Sequence, residues 1–335
     1  MDRVLVTGGA GFIGSHFVKR LLKAGSEVTV LDALTYAGHR ENLGDAMLSP
    51  KLTFVEGNIL NDQLVDHLVQ RHDAVVHFAA ESHVDRSFFA AGTFLTTNVL
   101  GTHTLLDAAR RFSVERFVHV STDEVYGPLV TGSATEQAPL LPTVPYAASK
   151  AASDLVALSY FHTYGVPVCV TRSSNNYGPA QHPEKIIPLF VTNLLKGKGV
   201  SLHGRGEHVR NWLHVEDNCQ GIELVLRGGT SGEVYNIGGG TDLTNLKLTE
   251  LLLGECGAGW ASVGYVADRR SNDIRYAMDW SKIADSLGYQ PARALEDGLA
   301  ETVDWYRRNP DRWAPLLRNP TAPTAQVRLL AKPGI

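Results

Sequence analysis

Residues 4–17 read VLVTGGAGFIGSHF, and their pattern indicates how the first half of the chain folds. A short apolar run, typical of a buried strand, leads into Gly8, Gly11 and Gly14 and then into a segment with helical spacing of apolar residues. Glycines at this spacing allow a tight turn and let a phosphate approach the backbone, while the start of the following helix supplies free N–H groups. The stretch therefore predicts a strand, a phosphate-binding loop and a helix.

The first half of the chain repeats this alternation of β-branched apolar runs and helix-length segments. Such alternation is typical of βαβ units, which build parallel sheets. We therefore predict an α/β fold, a Rossmann-like doubly wound parallel sheet of six or more strands with helices on both faces. The segments are the strands RVLVTG, EVTVLD, AVVHFAA, RFVHVS and VPVCVTRSS, and the helices 12–23, 62–70, 98–112 and 146–164.

An acidic residue closes the second strand and indicates the ligand of the glycine loop. Asp32 follows Gly14 by 18 residues, where a carboxylate in such units binds the ribose hydroxyls of a dinucleotide. The same charge repels a ribose 2′-phosphate, and no arginine directly follows it. The combination predicts a dinucleotide site that takes NAD in preference to NADP.

The pattern changes after about residue 172. Polar segments containing glycine and proline there separate shorter helices, at 249–255 and 295–307. We expect an NAD-binding Rossmann domain over 1–172, to which segments near 211–238 return, and a smaller α/β substrate-binding lobe over 173–320. Residues 321–335 have the pattern of a loose C-terminal tail.

Composition and charge exclude several classes of function. The 335 residues are 44% hydrophobic and 20% charged, and the net charge of −4 is spread in both signs, which leaves no electrostatic footprint for nucleic acid or an anionic membrane. Three widely spaced cysteines, Cys169, Cys219 and Cys256, indicate neither a metal site nor disulfides. We expect no metal, no leader or membrane-spanning segment, and a cytoplasmic location.

A tyrosine and a lysine are the first candidates for catalysis. Tyr146 and Lys150 stand four residues apart at the start of a predicted helix and therefore share a face. A lysine cation beside a phenol lowers the pKa of the phenol, which can then take a hydroxyl proton while NAD takes the hydride from the same carbon. The pair predicts an alcohol-oxidising site.

Two adjacent acids stand in HVSTDEVYGP, residues 119–128, directly after a predicted strand. Neighbouring residues in a strand point to opposite faces, so Asp123 and Glu124 cannot both avoid costly burial inside the sheet. We expect the strand to end near Ser121 and the acids to enter the cleft, where close carboxylates can hold one charged and one protonated group. The alternative is a pair of acids at a helix start.

At this point the chain resembles a known family. The glycine loop, the Tyr146-Ala-Ala-Ser-Lys150 motif and the length resemble the extended short-chain dehydrogenase/reductases, whose members act on sugar nucleotides. Within them, STDEVYG, HFAAESHVDRS, SNNYGP, PEKIIP and VRNWLHVEDN resemble the dTDP-glucose 4,6-dehydratases from residue 1 to about residue 306.

The resemblance implies a lyase reaction that turns dTDP-glucose into dTDP-4-keto-6-deoxyglucose and water. It implies that Tyr146 takes the proton of the glucose 4-hydroxyl as hydride passes to NAD, with Thr122 bonded to the 4-oxygen. Glu124 then removes the C5 proton, protonated Asp123 donates to the departing 6-hydroxyl, and the hydride returns to C6. NAD ends as it began.

The resemblance also implies two sets of contacts. Besides the three glycines, it implies NAD contacts from Phe12, Ile13, Asp32, Thr35, Asn58, Ile59, Ala79, Ala80, Glu81, Ser82, Thr97, Tyr146, Lys150 and Asn176. It implies nucleotide-sugar contacts from Ser82, Thr122, Asn175, Lys185, Ile186, Ser201, His203, Arg210, Asn245, Asp268, Arg269 and Asn272.

Two positions depart from the family pattern. Asn58 stands where the family usually has Asp, which removes a charged acceptor for the adenine amino group and leaves an amide acceptor. DRRSND, residues 268–273, replaces the usual DRPGHD, so that Asn272 takes the position of a substrate-contacting His and Arg270 adds charge. We expect these changes to act on NAD binding and on recognition of the diphosphate or base.

Relatives of this kind pair two helices with their copies in a four-helix interface, which implies a homodimer. Apolar residues on more than one face of helices 98–112 and 146–164 agree with this expectation: Val99, Leu105, Leu106, Leu155, Val156 and Leu158.

Other functions stay open from the sequence. A nucleotide-sugar 4-epimerase or decarboxylase of the same family begins with the same oxidation, but its chemistry needs neither an acid for a 6-hydroxyl nor a base for C5. A 4,6-dehydratase for another nucleotide sugar, such as GDP-mannose, is a second alternative. A non-catalytic NAD-sensing protein is a third, against which the intact Tyr146, Lys150, Asp123 and Glu124 argue.

Overall fold

The large sheet has the strand order that is typical of doubly wound α/β proteins. A computed structural model describes residues 1–239, 241–268 and 274–317. Seven parallel strands follow the order β3-β2-β1-β4-β5-β6-β10. These strands are β1 (Arg3–Thr7), β2 (Glu27–Asp32), β3 (Leu52–Glu56), β4 (Ala74–His77), β5 (Arg116–Thr122), β6 (Val168–Ser173) and β10 (Val234–Ile237).

Helices cover both faces of this sheet, as alternation along the buried strands demands. Val4 and Val6 of β1 face α1 and α8, whereas Leu5 faces α2, α5 and α6. The helices of the described residues are α1 (Phe12–Lys23), α2 (Asp62–Val69), α3 (Val84–Ser87), α4 (Ala91–Phe94), α5 (Gly101–Phe112), α6 (Pro145–Tyr164), α7 (Ile186–Leu195), α8 (Val215–Gly228), α9 (Asn245–Cys256), α10 (Ser281–Leu287), α11 (Leu295–Arg308) and α12 (Pro310–Trp313).

A second apolar core lies beside the large sheet. It is formed mainly by α7, α9 and α11, with Phe190, Leu252 and Val303 among its buried residues. A three-stranded sheet, β11-β9-β7, and a two-stranded sheet, β12-β8, accompany these helices. Their strands are β7 (Asn175–Tyr177), β8 (Val200–His203), β9 (Val209–His214), β11 (Thr241–Thr244) and β12 (Val263–Val266).

The chain crosses between the two cores more than once. After β9 in the three-stranded sheet, α8 packs against α1, and β10 pairs with β6. The carboxyl ends of β5, β6 and β7 therefore lie where the small sheets meet the large one. The division into domains at residue 172 stays a prediction, and the predicted tail, 321–335, lies outside the described residues.

The predicted α/β fold is confirmed, with some differences in its elements. β3 and the short helices α3 and α4 were not predicted, and the expected helix 98–112 begins as a π-helix over Leu95–Leu100. The strand β5 ends at Thr122, one residue later than expected. In the described part of the chain, every helix is too short or too polar to span a bilayer.

The expectation that Leu105 and Leu106 belong to the dimer surface is wrong. Leu105 and Leu106 are fully buried against α2 and the sheet, inside the protomer's own core. The exposed apolar residues of this region are Leu95, Leu100, Phe112, Leu155 and Tyr164. Helical periodicity alone could not separate the two faces, because both carry leucines.

Candidate active site

A cleft opens at the carboxyl ends of β1, β4 and β5. Strand β1 lies between β2 and β4, so the order of the sheet reverses there. Connections leave such a point in opposite directions, which opens the crevice where doubly wound folds bind ligands. The predicted glycine loop, the two acids and the Tyr–Lys pair all line this one cleft.

The glycine loop leaves no room for side chains. Gly8 has a positive φ of 72°, and a Cβ on it would lie 2.6 Å from the backbone nitrogen of Ala79 on the neighbouring strand connection. A Cβ on Gly14 would lie 2.2 Å from the carbonyl oxygen of Gly8. The loop can therefore bring α1 close to the sheet only because these residues are glycines, and the start of α1 faces the cleft.

Asp32 is fixed at the end of β2 by two backbone donors. Its Oδ2 accepts from the N–H of Ala10 at 2.9 Å, and its Oδ1 accepts from the N–H of Leu34 at 2.9 Å. Burial raises the pKa of Asp32, and the two N–H groups act against that rise. The carboxylate is therefore oriented before any ligand arrives, at the place where a ribose would bind.

The two adjacent acids leave the strand in a short 3₁₀ helix, Asp123–Tyr126. Thr122 caps this helix, since its Oγ1 accepts from the N–H of Glu124 at 3.3 Å. Asp123 is 3% exposed, and burial, followed by the charge of Glu124, raises its pKa to about 7. The charge of Arg210 on β9 acts against this rise. Asp123 is therefore the acid that retains a proton near neutral pH.

Tyr146 and Lys150 lie in the first turns of α6 and line the same cleft as the two acids. Burial, followed by the charge of Glu124, raises the pKa of Tyr146, while a hydrogen bond with Thr122 lowers it. Lys150 Nζ donates to the carbonyl oxygen of Val120 at 2.9 Å. The expectation was a lowered pKa for Tyr146, whereas burial and the charges of Glu124 and Asp123 raise it in the protein alone.

Several buried oxygens around the cleft indicate a polar ligand. Among the described residues that line the cleft, six such oxygens have no hydrogen-bond partner within the protein: Ser121 Oγ, Asp123 Oδ2, Ser174 Oγ, Asn175 Oδ1, Asn176 Oδ1 and Gln181 Oε1. Buried oxygens without partners cost free energy, so such a group normally marks the place of water or a ligand. Together with the glycine loop and Asp32, they fit a dinucleotide and a second polar molecule beside it.

The cleft brings together every predicted NAD contact and every predicted catalytic residue. Four of the predicted nucleotide-sugar contacts line it as well: Ser82, Thr122, Asn175 and Lys185. Asn58 faces it with an amide whose Oδ1 already accepts from the N–H of Leu60 at 2.9 Å.

The other predicted sugar-nucleotide contacts lie around the small sheets, outside the lining of the cleft. Arg210 stacks on Tyr276 with 4.6 Å between the guanidinium carbon and the ring centre. Asp268 lies 3.2 Å from His208 Nε2, and His203 Nδ1 lies 3.2 Å from the carbonyl oxygen of Ala267. Ile186 and Asn245 begin α7 and α9, and Ser201 is exposed on β8. Arg269, Arg270 and Asn272 lie outside the described residues.

Sequence reasoning missed a charged cluster at the mouth of the cleft. Glu184 accepts from Arg86 Nη2 at 3.1 Å, and the Arg86 guanidinium lies 3.6 Å from the centre of the Tyr36 ring. Beside it, Lys185 Nζ donates to the carbonyl oxygen of Ser82 at 3.0 Å. Both partners belong to the motifs HFAAESHVDRS and PEKIIP, so the signal was present, but pairing between distant motifs needs the fold.

The whole chain is similar to proteins of known activity. The family model described as GDP-mannose 4,6 dehydratase matches residues 5–302. The chain belongs to the GDP-mannose 4,6 dehydratase family. A member from Streptomyces antibioticus, named dTDP-glucose 4,6-dehydratase, is 58% identical over 332 residues, covering 97% of this chain and 98% of the relative.

Solved structures of the family agree in fold and in sequence. DesIV, a dTDP-glucose 4,6-dehydratase from Streptomyces venezuelae solved with NAD bound, is 57% identical with a TM-score of 0.92, covering 94% of this chain and 99% of that one. The dTDP-glucose 4,6-dehydratase of Bacillus anthracis, solved in complex with NAD, is 45% identical with a TM-score of 0.88, covering 94% and 100%. The resemblance predicted from the motifs is thus confirmed.

Proposed function

We propose that this chain is an NAD-dependent dTDP-glucose 4,6-dehydratase, a lyase that releases water from C5 and C6 of the sugar. The observation that carries the proposal is the pair of acids at the end of β5. Asp123, with a pKa raised to about 7, retains a proton beside Glu124, and both face Tyr146 across one cleft. An elimination of water from two adjacent carbons needs one acid and one base in this arrangement.

The glycine loop and Asp32 hold the cofactor. The start of α1 and the backbone of the loop bind the pyrophosphate, and the oriented carboxylate of Asp32 binds the ribose hydroxyls. When bound, NAD accepts a hydride from C4 of the sugar and returns it to C6, and its nicotinamide ring adds positive charge. Relatives with 57% and 45% identity were solved with NAD, which supports this assignment.

Three side chains act on the sugar C4 oxygen. Tyr146 takes its proton, Thr122 donates a hydrogen bond to it, and the Lys150 ammonium stabilises the charge that develops. The raised pKa of Tyr146 means that the phenol ionises only once positive charge stands beside it. Oxidation and proton removal are therefore coupled in this site.

The two acids carry out the elimination. Oxidation at C4 makes the C5 proton acidic, and Glu124 removes it. Asp123 donates its proton to the departing 6-hydroxyl, which leaves as water. Asp123 and Glu124 are neighbours in the first turn of the 3₁₀ helix, so their carboxyl groups reach the adjacent carbons C6 and C5 of the same sugar.

The remaining predicted contacts are proposed to bind the nucleotide sugar. Asn175 and Lys185 lie at the cleft, and Arg210 lies close enough to lower the pKa of Asp123. A guanidinium is suited to bind diphosphate oxygens bidentately. The small sheets, with His203, Asn245 and Asp268, then form the part of the lobe that receives the nucleotide.

We also propose a homodimer in a reducing, cytoplasmic setting. Leu95, Leu100 and Leu155 are 51%, 54% and 60% exposed on the outer surface of the π-helix and α6, and such an apolar surface favours burial against a second copy. The described cysteines are free thiols, which agrees with a reducing compartment.

Product analysis tests the activity directly. Purified protein with NAD is incubated with dTDP-glucose without added reductant, and the sugar is identified by NMR. We expect a 4-keto-6-deoxy sugar and no net NADH. Parallel incubations with GDP-mannose and UDP-glucose separate the alternatives, since turnover only of GDP-mannose, or an epimer in any reaction, would contradict the proposal.

A further inference from the structure

A third polar residue continues the row formed by Tyr146 and Lys150 on α6. Asp154 lies one helical turn beyond Lys150, so all three side chains share one face. Exposure falls along the row, from 9% at Tyr146 to 4% at Lys150 and 0% at Asp154. The row therefore runs from the cleft into the core between α6 and the strands β5 and β6.

Asp154 is held between two strands by charged and polar groups. Its Oδ2 accepts from Arg172 Nε on β6 at 2.9 Å, and its Oδ1 lies 3.3 Å from His119 Nε2 on β5. Arg172 in turn donates to the hydroxyl of Tyr126 at 2.9 Å. Burial opposes the charge of Asp154, but His119, Arg172 and Lys150 together lower its pKa, so the carboxylate stays ionised.

Apart from Asp123 and Glu124 on the cleft side, the other titratable groups around Lys150 carry no negative charge near neutral pH. His77 on β4 and His119 on β5 are fully buried, and burial holds the pKa of His77 well below its usual value and that of His119 at about 4. Tyr146 above is a neutral phenol, and Arg172 beyond Asp154 is a cation. Asp154 is thus the carboxylate that faces Lys150 from the core side.

We propose that Asp154, one turn from Lys150 on the same face of α6, is a positioning residue for the oxidation step, whose carboxylate keeps the Lys150 side chain charged. This inference rests on the proposed function. A buried ammonium without a nearby carboxylate releases its proton, because desolvation penalises the charged form. Burial lowers the pKa of Lys150 to about 8, and Asp154 acts against a further fall.

The proton affinity of Lys150 can be measured without substrate or turnover. Trace acetylation of the NAD-loaded enzyme with isotopic acetic anhydride, between about pH 5 and 10, gives the titration midpoint of each lysine by peptide mass spectrometry. In the unaltered chain we expect the Lys150 midpoint below the 10.5 of an ordinary lysine. In Asp154→Asn it should fall by about one pH unit or more, while that of exposed Lys23 stays unchanged.

A second variant separates this role from simple support of Arg172. Asp154→Asn leaves a buried guanidinium without its carboxylate, which can destabilise the protein. Asp154→Asn/Arg172→Gln removes both charges, so the melting temperature should recover while the Lys150 midpoint stays lowered. If the single variant does not fold, the Lys150 midpoint is measured in the double variant.

Two results would overturn the inference. One is a Lys150 midpoint that stays unchanged in either folded variant. The other is a Lys150 midpoint that is lowered in Asp154→Asn but returns in the double variant to the value of the unaltered chain. The second result would show that Asp154 acts only by supporting Arg172. Neither result bears on the proposed activity, because product analysis tests that activity independently. Conversely, absence of dehydratase product would leave the lysine titration interpretable.

Discussion

At the scale of single residues, Asp123 and Glu124 differ in their surroundings and therefore in their proposed roles. Both follow β5 directly, yet Asp123 is buried at 3% exposure and Glu124 is only partly buried. The environment, rather than the residue type, thereby assigns the acid and the base. This assignment leads to two expected outcomes.

Glu124→Gln should abolish the removal of the C5 proton. An amide cannot accept that proton, so we expect exchange of the C5 hydrogen with deuterated water to fall at least about 100-fold. NAD and dTDP-glucose should still bind, as calorimetry can verify. Glu115→Gln is a matched control, because Glu115 is exposed next to the opposite end of the same strand. Unchanged exchange in Glu124→Gln would remove Glu124 from the role of base.

Asp123→Asn should stabilise the protein, and more so at alkaline pH. The folded pKa of about 7 lies above the ordinary 3.8, so the folded state binds more protons and wild-type stability falls as pH rises from about 4 through 7. Removing this ionisation should add about 2 to 4 kcal/mol to the free energy of unfolding at about pH 8, and less at about pH 5.

Denaturant titrations at the two pH values measure this gain. Asp45→Asn serves as the control, because an exposed acid should change stability by less than about 0.5 kcal/mol at either pH. A gain equal at both pH values would show that Asp123 has an ordinary pKa.

Residue roles were predictable from sequence where a motif was continuous. The acids in HVSTDEVYGP, the Tyr146–Lys150 pair and Asp32 stand in short runs whose spacing fixes their relation, and all face one cleft. Glu184 and Asp154 were missed because their partners, Arg86 and Arg172, lie on other elements of the fold, 98 and 18 residues away. The raised pKa of Tyr146 was missed because burial cannot be read from an isolated helix face.

At the scale of elements, the glycine loop sets the distance between α1 and the sheet. Gly14→Ala would place a Cβ 2.2 Å from the carbonyl oxygen of Gly8, so α1 must shift away. We expect a loss of about 1 to 3 kcal/mol in stability and at least about tenfold weaker NAD binding, since the helix start moves from the pyrophosphate. Thermal melts with and without NAD measure both effects.

Gly254→Ala is the matched control for this substitution. Gly254 lies in α9, and a Cβ there meets nothing within 4 Å. Alanine should therefore raise stability by about 0.5 to 1 kcal/mol through helix propensity and leave NAD binding unchanged. Equal behaviour of the two variants would show that the loop tolerates a larger separation.

The elements themselves were predicted unequally. Helix α1 and strand β2 have the predicted bounds, because each shows clear periodicity between glycine or polar breaks. Strand β3 was missed because LTFVE is only partly buried at the edge of the sheet and carries a weak apolar signal. The π-helix before α5 reflects an altered hydrogen-bond register, which apolar spacing does not encode.

At the scale of the whole molecule, the apolar surface along the π-helix and α6 predicts assembly. Leu155→Glu places a charge on this surface, so we expect dissociation, because an unpaired charge in an interface is strongly unfavourable. Light scattering should give twice 36.4 kDa for the unaltered chain and 36.4 kDa for the variant. Leu246→Glu, at a 39% exposed position on α9, should leave the dimer intact. A single 36.4 kDa species in the unaltered chain would contradict the dimer.

The large sheet was predictable as a whole, but its junction with the small sheets was not. Sequence alternation indicates the strands of a parallel sheet, whereas the crossing of the chain from β9 to α8 and β10 depends on pairing between distant segments. That crossing brings Arg210 near Asp123, so the polar surroundings of the acids arise only from the complete fold.

In the proposed reaction, hydrogen moves from C4 to C6 of one sugar while water leaves. The most direct measurement is incubation of NAD-loaded protein with dTDP-glucose deuterated at C4, followed by NMR of the product. We expect a 4-keto-6-deoxy sugar with the deuterium at C6. Deuterium lost to water, deuterium still at C4 of an epimer, or unchanged substrate would contradict it.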